Sequence, residues 1–345
     1  MFSFEKSVLT MIAVVAVTAV CGRPARADGC LDSSRTDNIR HLQYALCNDD
    51  LAIADSLTQN MIEQHPEDPS GYLFRAVVLV TEMFDREENV HQQQFHRLID
   101  TALAKAVSVR DVSSGRECAW MSLLIGHCYA YRSLWQSHFG SLLAAIRTGH
   151  RAKAEYERGL DCDSSLYDLY FGLGLYHYWK SAKAGFLSFL QIVHNDKDKG
   201  IRQLRLAADS SLISKEPARN ALIWIWLDGR QYDSVIYHCR LMHQKHPHGK
   251  AFLWPMARAH YRKKEYRLAL QTFQQLRELI AIEPGNYFNL VECDYFRYRC
   301  CRRFSDWAET DRVLADWRQY SDKIPKDTRR RQRAKIISMN RVAGN

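Results

Sequence analysis

The sequence predicts an all-α protein, a right-handed superhelical solenoid of antiparallel helical hairpins, and three observations support this. Apolar residues recur at helical spacing along most of the 345 residues. Residues 216–284 contain two copies of one sequence unit, repeated with a period of 34 residues. In each copy a polar turn separates two helices, and Pro247 or Pro284 closes the second helix. Strands, whose side chains alternate with a period of two, cannot satisfy this pattern.

The repeat is carried by matched residues rather than by composition. Leu222, Trp226, Tyr232, Val235, Cys239 and Met242 recur 34 places later as Met256, His260, Tyr266, Ala269, Phe273 and Leu276. This spacing resembles the tetratricopeptide repeat (TPR), although Ile223 and Ala257 stand where that repeat usually has glycine. Pro255 is expected to interrupt the first helix of the second copy. The resemblance implies a scaffold fold and no particular ligand.

Further hairpins follow from the same pattern on both sides. The predicted hairpins cover residues 38–66, 69–107, 118–163, 166–212, 216–248, 250–284 and 287–320, a solenoid spanning 28–320. The third and fourth repeat each other at 48 residues, so each carries an insert, residues 135–148 and 182–195, that we expect to form extra helical turns. Gly126, Gly174 and Gly200 are expected to let neighbouring helices approach closely.

The hairpins with inserts carry a second resemblance. The segments Gly174 to Trp179 and Asp198 to Ile201 are similar to segments of the TPR family known from mitochondrial outer membranes. This resemblance covers residues 120–276. That resemblance implies membrane association rather than an enzymatic activity.

The N-terminus has the pattern of a secretory signal peptide. Lys6 precedes an apolar run from Val8 to Val20, and Ala25-Arg26-Ala27 forms a small-x-small cleavage site. We therefore expect residues 1–27 to be removed and the protein to be exported to the periplasm or cell envelope. The alternative is a lipoprotein cleaved before Cys21, which Val20 disfavours because it is bulkier than the small residue expected there.

Nine cysteines remain after residue 27, in a chain predicted to reach an oxidising compartment. Cys118 opens the first helix of a hairpin and Cys162 follows the second, so both should lie at the same end and form a disulfide. Cys30 with Cys47 is the second candidate pair. The disulfide connectivity as a whole does not follow from the sequence.

The positive charge is concentrated at the C-terminus. The mature chain has a net charge of +7, and residues 318–345 alone also have a net charge of +7. We expect residues 321–345 to be a basic tail, either a short amphipathic helix or disordered. Its candidate electrostatic residues are Arg329, Arg330, Arg331, Arg333 and Lys335. Export makes nucleic acid an unsuitable partner, and anionic lipid, an envelope polymer or an acidic protein fits better. A tail that serves only solubility is the equal alternative.

The first helix of each hairpin lines the concave face of a TPR solenoid, which points to a binding groove. The candidate groove residues are His127, Tyr131, Tyr178, Trp179, Trp224, Asp228, Arg258, Tyr261 and Arg262. Aromatic and arginine side chains are those that peptide recognition uses. Arg258 and Arg262, one turn apart, favour an acidic peptide or a C-terminal carboxylate. For any single aromatic residue, packing against a neighbouring helix is the alternative interpretation.

No motif for catalysis or a cofactor is present. His238 and His243 are five residues apart, and His243 and His246, although three apart, fall where the helix should end before Pro247, so a solvated helix end is favoured over a metal site. The chain has no phosphate-binding glycine loop or nucleophile motif. We therefore predict a non-enzymatic scaffold without a cofactor that binds a peptide or partner protein. The alternative is a peripheral membrane or cell-wall tether acting through the tail and the inserts, and the third hypothesis is an envelope metal protein or enzyme.

Overall fold

The computed structural model describes residues 33–183 and 196–344. The predicted signal peptide lies outside the described residues, as do Cys30 and nearly all of the second insert. Within the described ranges the chain forms helices and no strand, with helices packed against their neighbours in sequence. The prediction of an all-α fold of this kind is confirmed.

Eight helices lie between residues 33 and 210: α1 (Ser33–Cys47), α2 (Leu51–Gln64), α3 (Pro69–Arg86), α4 (Gln92–Arg110), α5 (Gly115–Phe139), α6 (Leu142–Cys162), α7 (Leu169–Lys183) and α8 (Lys197–Ser210). Eight more lie between residues 215 and 343: α9 (Lys215–Asp228), α10 (Tyr232–Lys245), α11 (Lys250–Arg262), α12 (Tyr266–Ile282), α13 (Tyr287–Phe304), α14 (Trp307–Arg318), α15 (Lys326–Arg331) and α16 (Arg333–Ala343).

The chain divides into two compact units. Unit 1 comprises residues 1–83 and 89–222, and unit 2 comprises residues 84–88 and 223–345. In unit 1 the pairs in contact include α1 with α2, α5 with α6, and α7 with α8. In unit 2 they include α10 with α11, α12 with α13, and α13 with both α14 and α16.

Short polar side chains set where several helices begin. The Asp50 carboxylate accepts a hydrogen bond from the Ile53 backbone N–H at the start of α2, and Asp306 does the same for Glu309 at the start of α14. In unit 1 the buried Asp168 accepts hydrogen bonds of 2.8 Å from the backbone N–H groups of residues 212, 213 and 214. This carboxylate therefore fixes the connection between α8 and α9.

Glycine permits the closest helix contact in unit 1. A Cβ atom added to Gly200 of α8 would lie 2.7 Å from the Gly174 carbonyl oxygen of α7, closer than real Cβ contacts allow. A Cβ atom on Gly126 of α5 would collide with the ring of Tyr156 in α6. The expected mechanical role of these glycines is confirmed, because side chains there would push the helix pairs apart.

Three elements differ from or refine the sequence expectation. Pro255 does not interrupt its helix, since α11 runs from Lys250 to Arg262 with Pro255 buried in its second turn. The first insert is helical, because α5 extends to Phe139 and α6 begins at Leu142. The tail forms α15 and α16, and residues of α16 lie in a buried cluster with α13 and α14: Val291, Tyr298, Cys301, Val313, Leu314, Trp317, Tyr320, Ile324, Ile336, Met339 and Ala343.

Candidate functional site

The predicted groove residues of unit 1 lie mostly inside the protein. His127, Tyr131 and Tyr178 are buried, and Trp179 is half-buried. The His127 Nδ1 atom is hydrogen-bonded to the Tyr156 hydroxyl at 2.8 Å, and burial lowers the pKa of the imidazole to about 4. These side chains pack between helices, so they offer a ligand little surface.

In unit 2 the inner groove residues form a layered cation–π arrangement. The Arg258 guanidinium of α11 lies 5.7 Å from the ring centre of Trp224 and 5.5 Å from that of Trp254. Its Nη2 atom is 3.6 Å from the Glu292 carboxylate of α13, which is itself buried. Burial lowers the pKa of Arg258, and the Glu292 carboxylate counteracts this. Arg258 therefore has its carboxylate supplied by the protein itself.

A second, partly exposed layer in unit 2 consists of arginines stacked on aromatic rings. The Arg299 guanidinium of α13 lies 5.4 Å from the ring centre of Tyr261 and 5.6 Å from that of Tyr295. Arg303, one turn further along α13, lies 5.6 Å from the ring centre of Tyr266. We call the following set the cationic–aromatic surface: Tyr261, Arg262, Tyr266, Tyr295, Arg299 and Arg303.

The cationic–aromatic surface follows from helix geometry. Tyr295, Arg299 and Arg303 are spaced at four residues and so share one face of α13. Tyr261 and Arg262 end α11, and Tyr266 begins α12. Arg262 and Arg303 are exposed, whereas Tyr261 is buried apart from 9% of its surface. The rings thus form a floor, and the guanidinium groups lie between the floor and solvent.

Carboxylates adjoining this surface are already engaged. Glu265 is 2.8 Å from Lys263 Nζ, and its other oxygen is 2.6 Å from His260 Nδ1, contacts that lower the pKa of the Glu265 carboxyl. Burial raises the pKa of the Tyr261 phenol, although Arg299 and Arg303 counteract this, so the phenol stays protonated at neutral pH. The surface therefore consists of the exposed Arg262 and Arg303, the half-buried Arg299 and the tyrosine rings beneath them.

This arrangement suits the binding of carboxylates. A guanidinium stacked on a ring keeps its planar edge of N–H donors available, and that edge matches the two oxygens of a carboxylate. Sequence reasoning identified Tyr261 and Arg262 but missed Tyr295, Arg299 and Arg303. The four-residue spacing of these three side chains in α13 was the available signal.

The remaining groove residue of unit 2, Asp228, is exposed at the end of α9. It is not part of the cationic–aromatic surface, which the helices α11, α12 and α13 provide.

The basic residues of the tail make contacts within unit 2. Arg329 donates to the backbone carbonyls of residues 321, 322 and 324. Arg331 pairs with Glu87 and lies 4.7 Å from the ring centre of Phe288. Lys335 Nζ lies 2.5 Å from Glu292 Oε2, so the carboxylate that meets Arg258 also meets the tail. Arg330 pairs with Asp327, and Arg333 is exposed.

The predicted cysteine pair and the histidines around α10 can be located in the structure. Cys118 and Cys162 form a disulfide, with their Cα atoms 6.0 Å apart. Around the histidines of α10, the ring of His238 stacks on Trp226 at 4.6 Å, whereas Cys239 and His246 are buried. Among the described residues no group of three or more His, Cys, Asp or Glu side chains is arranged to hold a metal ion.

No protein-family model matches the chain, and no curated protein matches it. Within residues 33–183 and 196–344, none of the helices combines the length and the apolar character required to cross a bilayer.

Proposed function

We propose that this protein is a non-enzymatic, TPR-like scaffold of the cell envelope, exported by its N-terminal signal, that binds an acidic segment of a partner protein. The observation that carries the proposal is the row of Arg299 and Arg303 stacked on tyrosine rings beside Arg262. Arg303 is exposed and Arg299 is half-buried, and the neighbouring Glu265 is already paired, so the chemistry that this surface offers is carboxylate binding.

The helix spacing supports the TPR-like part of the proposal. Helices α10 and α12 begin at Tyr232 and Tyr266, 34 residues apart, which is the period read from the sequence. Helices α11 and α13, which carry the cationic–aromatic surface, are the first helices of consecutive hairpins. In TPR-like repeats those are the helices that face the ligand.

Several contacts must act together for useful affinity. A single exposed Arg–carboxylate pair contributes only about 0.2–1 kcal/mol, because water screens it and side-chain freedom is lost. Stacking on a ring reduces that loss of freedom before the ligand arrives. A segment with two or three carboxylates, or with one carboxylate and its C-terminus, would engage Arg262, Arg299 and Arg303 at once.

Contacts of the tail favour this proposal over a tether that acts through the tail. Arg329, Arg331 and Lys335 each meet an acceptor inside unit 2. A tether built on these side chains would have to exchange those contacts for contacts with its target. Arg299 and Arg303, by contrast, stack on aromatic rings, and neither forms an ion pair with a carboxylate among the contacts of the described residues.

Peptide binding tests the proposal directly. A fluorescently labelled peptide rich in Asp and Glu, with a free C-terminal carboxylate, is titrated with the protein and followed by fluorescence anisotropy. We expect the double variant Arg299→Glu/Arg303→Glu to bind at least tenfold more weakly, because it replaces two donors with two repelling charges. Arg258 is left unchanged, since its place between Trp224 and Trp254 makes it part of the packing.

The matched control is Arg202→Glu/Arg205→Glu, which makes the same charge change at two exposed arginines of α8 in unit 1. It should bind the acidic peptide about as well as the unmodified protein. Equal weakening by both double variants would show that net charge alone governs binding. Unchanged binding by Arg299→Glu/Arg303→Glu would exclude the cationic–aromatic surface as the site.

A further inference from the structure

We propose that the tip of the α5–α6 hairpin docks onto an anionic lipid bilayer. The tip carries three large aliphatic side chains in solvent: Leu142 is 58% exposed, Leu143 is 71% exposed and Ile146 is 50% exposed. Leu142 and Leu143 each share a helix face with Ile146, because they precede it by four and three residues. We call these three residues the apolar tip.

The apolar tip is part of the longest helix pair in the described chain. Helix α5 has 25 residues and α6 has 21, whereas the helices of the later hairpins α9 to α14 have 12 to 18. The added length comes from the insert at residues 135–148, which contains all three exposed residues. This insert is helical and still leaves three large aliphatic side chains in solvent, which lowers solubility and which binding to another surface would explain.

Positive charge lies directly behind the apolar tip. Arg147 and Arg151 are exposed and follow Leu143 by one and two turns on the same face of α6. The helical rise of 1.5 Å per residue places them roughly 6 Å and 12 Å from Leu143 along the axis. Interfacial helices bury their apolar side chains about 5–10 Å into the headgroup and acyl boundary. At that depth the arginines reach the level of the lipid phosphates.

The charge of the hairpin selects an anionic surface. No Asp or Glu occurs between Glu117 and Glu155, a stretch that contains Arg132, Arg147, Arg151 and Lys153. Arg132 is paired with Asp100 of α4, and Lys153 is paired with Glu157. Glu155, one turn after Arg151, is paired with Arg110 of α4. Arg147 and Arg151 are exposed, and each Arg near an anionic membrane adds to binding.

A lipid surface fits the apolar tip better than a protein partner. The centres of protein interfaces are enriched in aromatic residues and carry directional hydrogen bonds. The exposed side chains of the tip are aliphatic, and the exposed Arg147 and Arg151 follow them on α6. Aliphatic side chains followed by cations match the order of the layers in a bilayer, an apolar interior beneath charged headgroups. Binding to a bilayer needs no shape complementarity.

The experiment measures binding of the whole protein to vesicles by co-flotation. Vesicles of pure phosphatidylcholine are compared with vesicles containing phosphatidylglycerol at 30 mol% in phosphatidylcholine. Hydrogen exchange followed by mass spectrometry locates the contact, which separates the tip from the apolar N-terminus. We expect binding to the anionic vesicles, with slower exchange at residues 139–147.

Two variants separate the apolar and the charged contributions. Leu142→Gln/Leu143→Gln/Ile146→Gln should weaken binding to anionic vesicles at least tenfold, as should Arg147→Glu/Arg151→Glu. The matched apolar control is Ile53→Gln/Val112→Gln/Ile282→Gln, which changes three residues that are 52%, 87% and 73% exposed. The charge control is Arg202→Glu/Arg205→Glu. Both controls should bind like the unmodified protein.

Several outcomes would overturn the proposal. They are failure of the protein to bind anionic vesicles, equal binding by the tip variants and their controls, or slowed exchange located outside residues 139–147. A dimer in sedimentation analysis that the Leu142→Gln/Leu143→Gln/Ile146→Gln variant abolishes would mean that a second copy covers the tip instead. The result is independent of peptide binding by the cationic–aromatic surface, because the tip variants leave unit 2 unchanged.

Discussion

His127 is a base placed where water cannot reach it. Its side chain packs among the rings of Tyr131, Tyr156 and Phe171, and burial alone lowers the pKa of the imidazole from 6.5 to about 4. The unfolded chain therefore binds a proton at a higher pH than the folded protein does. Stability contributed by the neutral imidazole is complete above about pH 6.5 and is lost as the pH falls toward 4.

The prediction is a pH dependence that disappears with the imidazole. Between pH 6.5 and 4 the free energy of unfolding should fall by about 3 kcal/mol more in the unmodified protein than in His127→Gln, from 1.36 kcal/mol per pKa unit. Urea denaturation at a series of pH values measures it. His248→Gln removes an exposed histidine and should keep the full pH dependence. A parallel pair of profiles for the unmodified protein and His127→Gln would contradict this assignment.

Arg258 shows how far a single residue could be interpreted from the sequence. The sequence assigned its guanidinium to the carboxylate of a bound peptide, whereas the structure places Glu292 of the protein itself 3.6 Å away. Glu292 lies in a different hairpin, and Lys335 reaches it from the tail. Contacts between residues so far apart in sequence depend on how helices stack, which periodicity within one helix does not specify.

At the scale of elements, the tail is a structural part of unit 2. Ile336 and Met339 of α16 are 7% and 0% exposed, and they pack with Trp317 and Tyr320. The Trp317 Nε1 atom donates a hydrogen bond of 3.0 Å to Asn340 Oδ1. In the sequence, the apolar positions 336, 339 and 343 have helical spacing, but the surrounding basic residues led to the prediction of a tail.

Removal of the tail should therefore destabilise the protein. Deleting residues 321–345 exposes Trp317 and removes the buried Ile336 and Met339, each of which contributes about 1.5–3 kcal/mol. We expect unit 2 to unfold about 3–5 kcal/mol more easily, measured by guanidinium denaturation followed by tryptophan fluorescence. Arg330→Gln/Arg333→Gln, which removes charge and keeps the helices, should unfold like the unmodified protein. An unchanged transition in the deletion variant would mean that the tail does not contribute to the core.

Regular elements were more predictable than their surroundings. The 34-residue period corresponds to α9 to α12, and the first insert is helical as expected. Proline was over-weighted at Pro255, because this residue removes only its own N–H bond to the carbonyl of residue 251 and α11 continues past it to Arg262. Only part of the cationic–aromatic surface was predicted, because the repeat pattern assigned groove positions to α11 and none to α13.

At the scale of the whole molecule, the all-α fold follows from periodicity, whereas the division into two units does not. The boundary between residues 222 and 223 falls inside α9, a helix whose sequence matches its repeat neighbours. A repeat pattern shows that adjacent hairpins resemble each other, and it carries no information on which hairpins group into one compact unit. The burial of individual cysteines likewise depends on tertiary packing.

The cysteines provide a test of packing across both units. Cys128 and Cys300 are buried, and burial raises the pKa of each thiol to about 12, while that of Cys301 rises to about 11. Burial raises the pKa of Cys239 and Cys293 as well. Since the thiolate is the reactive form, a thiol of pKa 12 is ionised in about one molecule in ten thousand at pH 8.

We therefore expect iodoacetamide at pH 8 to leave these five cysteines unmodified in the native protein and to modify all five in guanidinium, as measured by peptide mass mapping. Cys118 and Cys162 should become reactive only when reductant is added as well, because they share a disulfide that closes a loop across 44 residues of sequence separation. The unfolded sample is the control for intrinsic reactivity. Modification of Cys128 in the native protein would contradict the packing of unit 1, and modification of Cys293 or Cys300 would contradict that of unit 2. Because each unit carries its own buried thiols, the two outcomes are read separately from one digest.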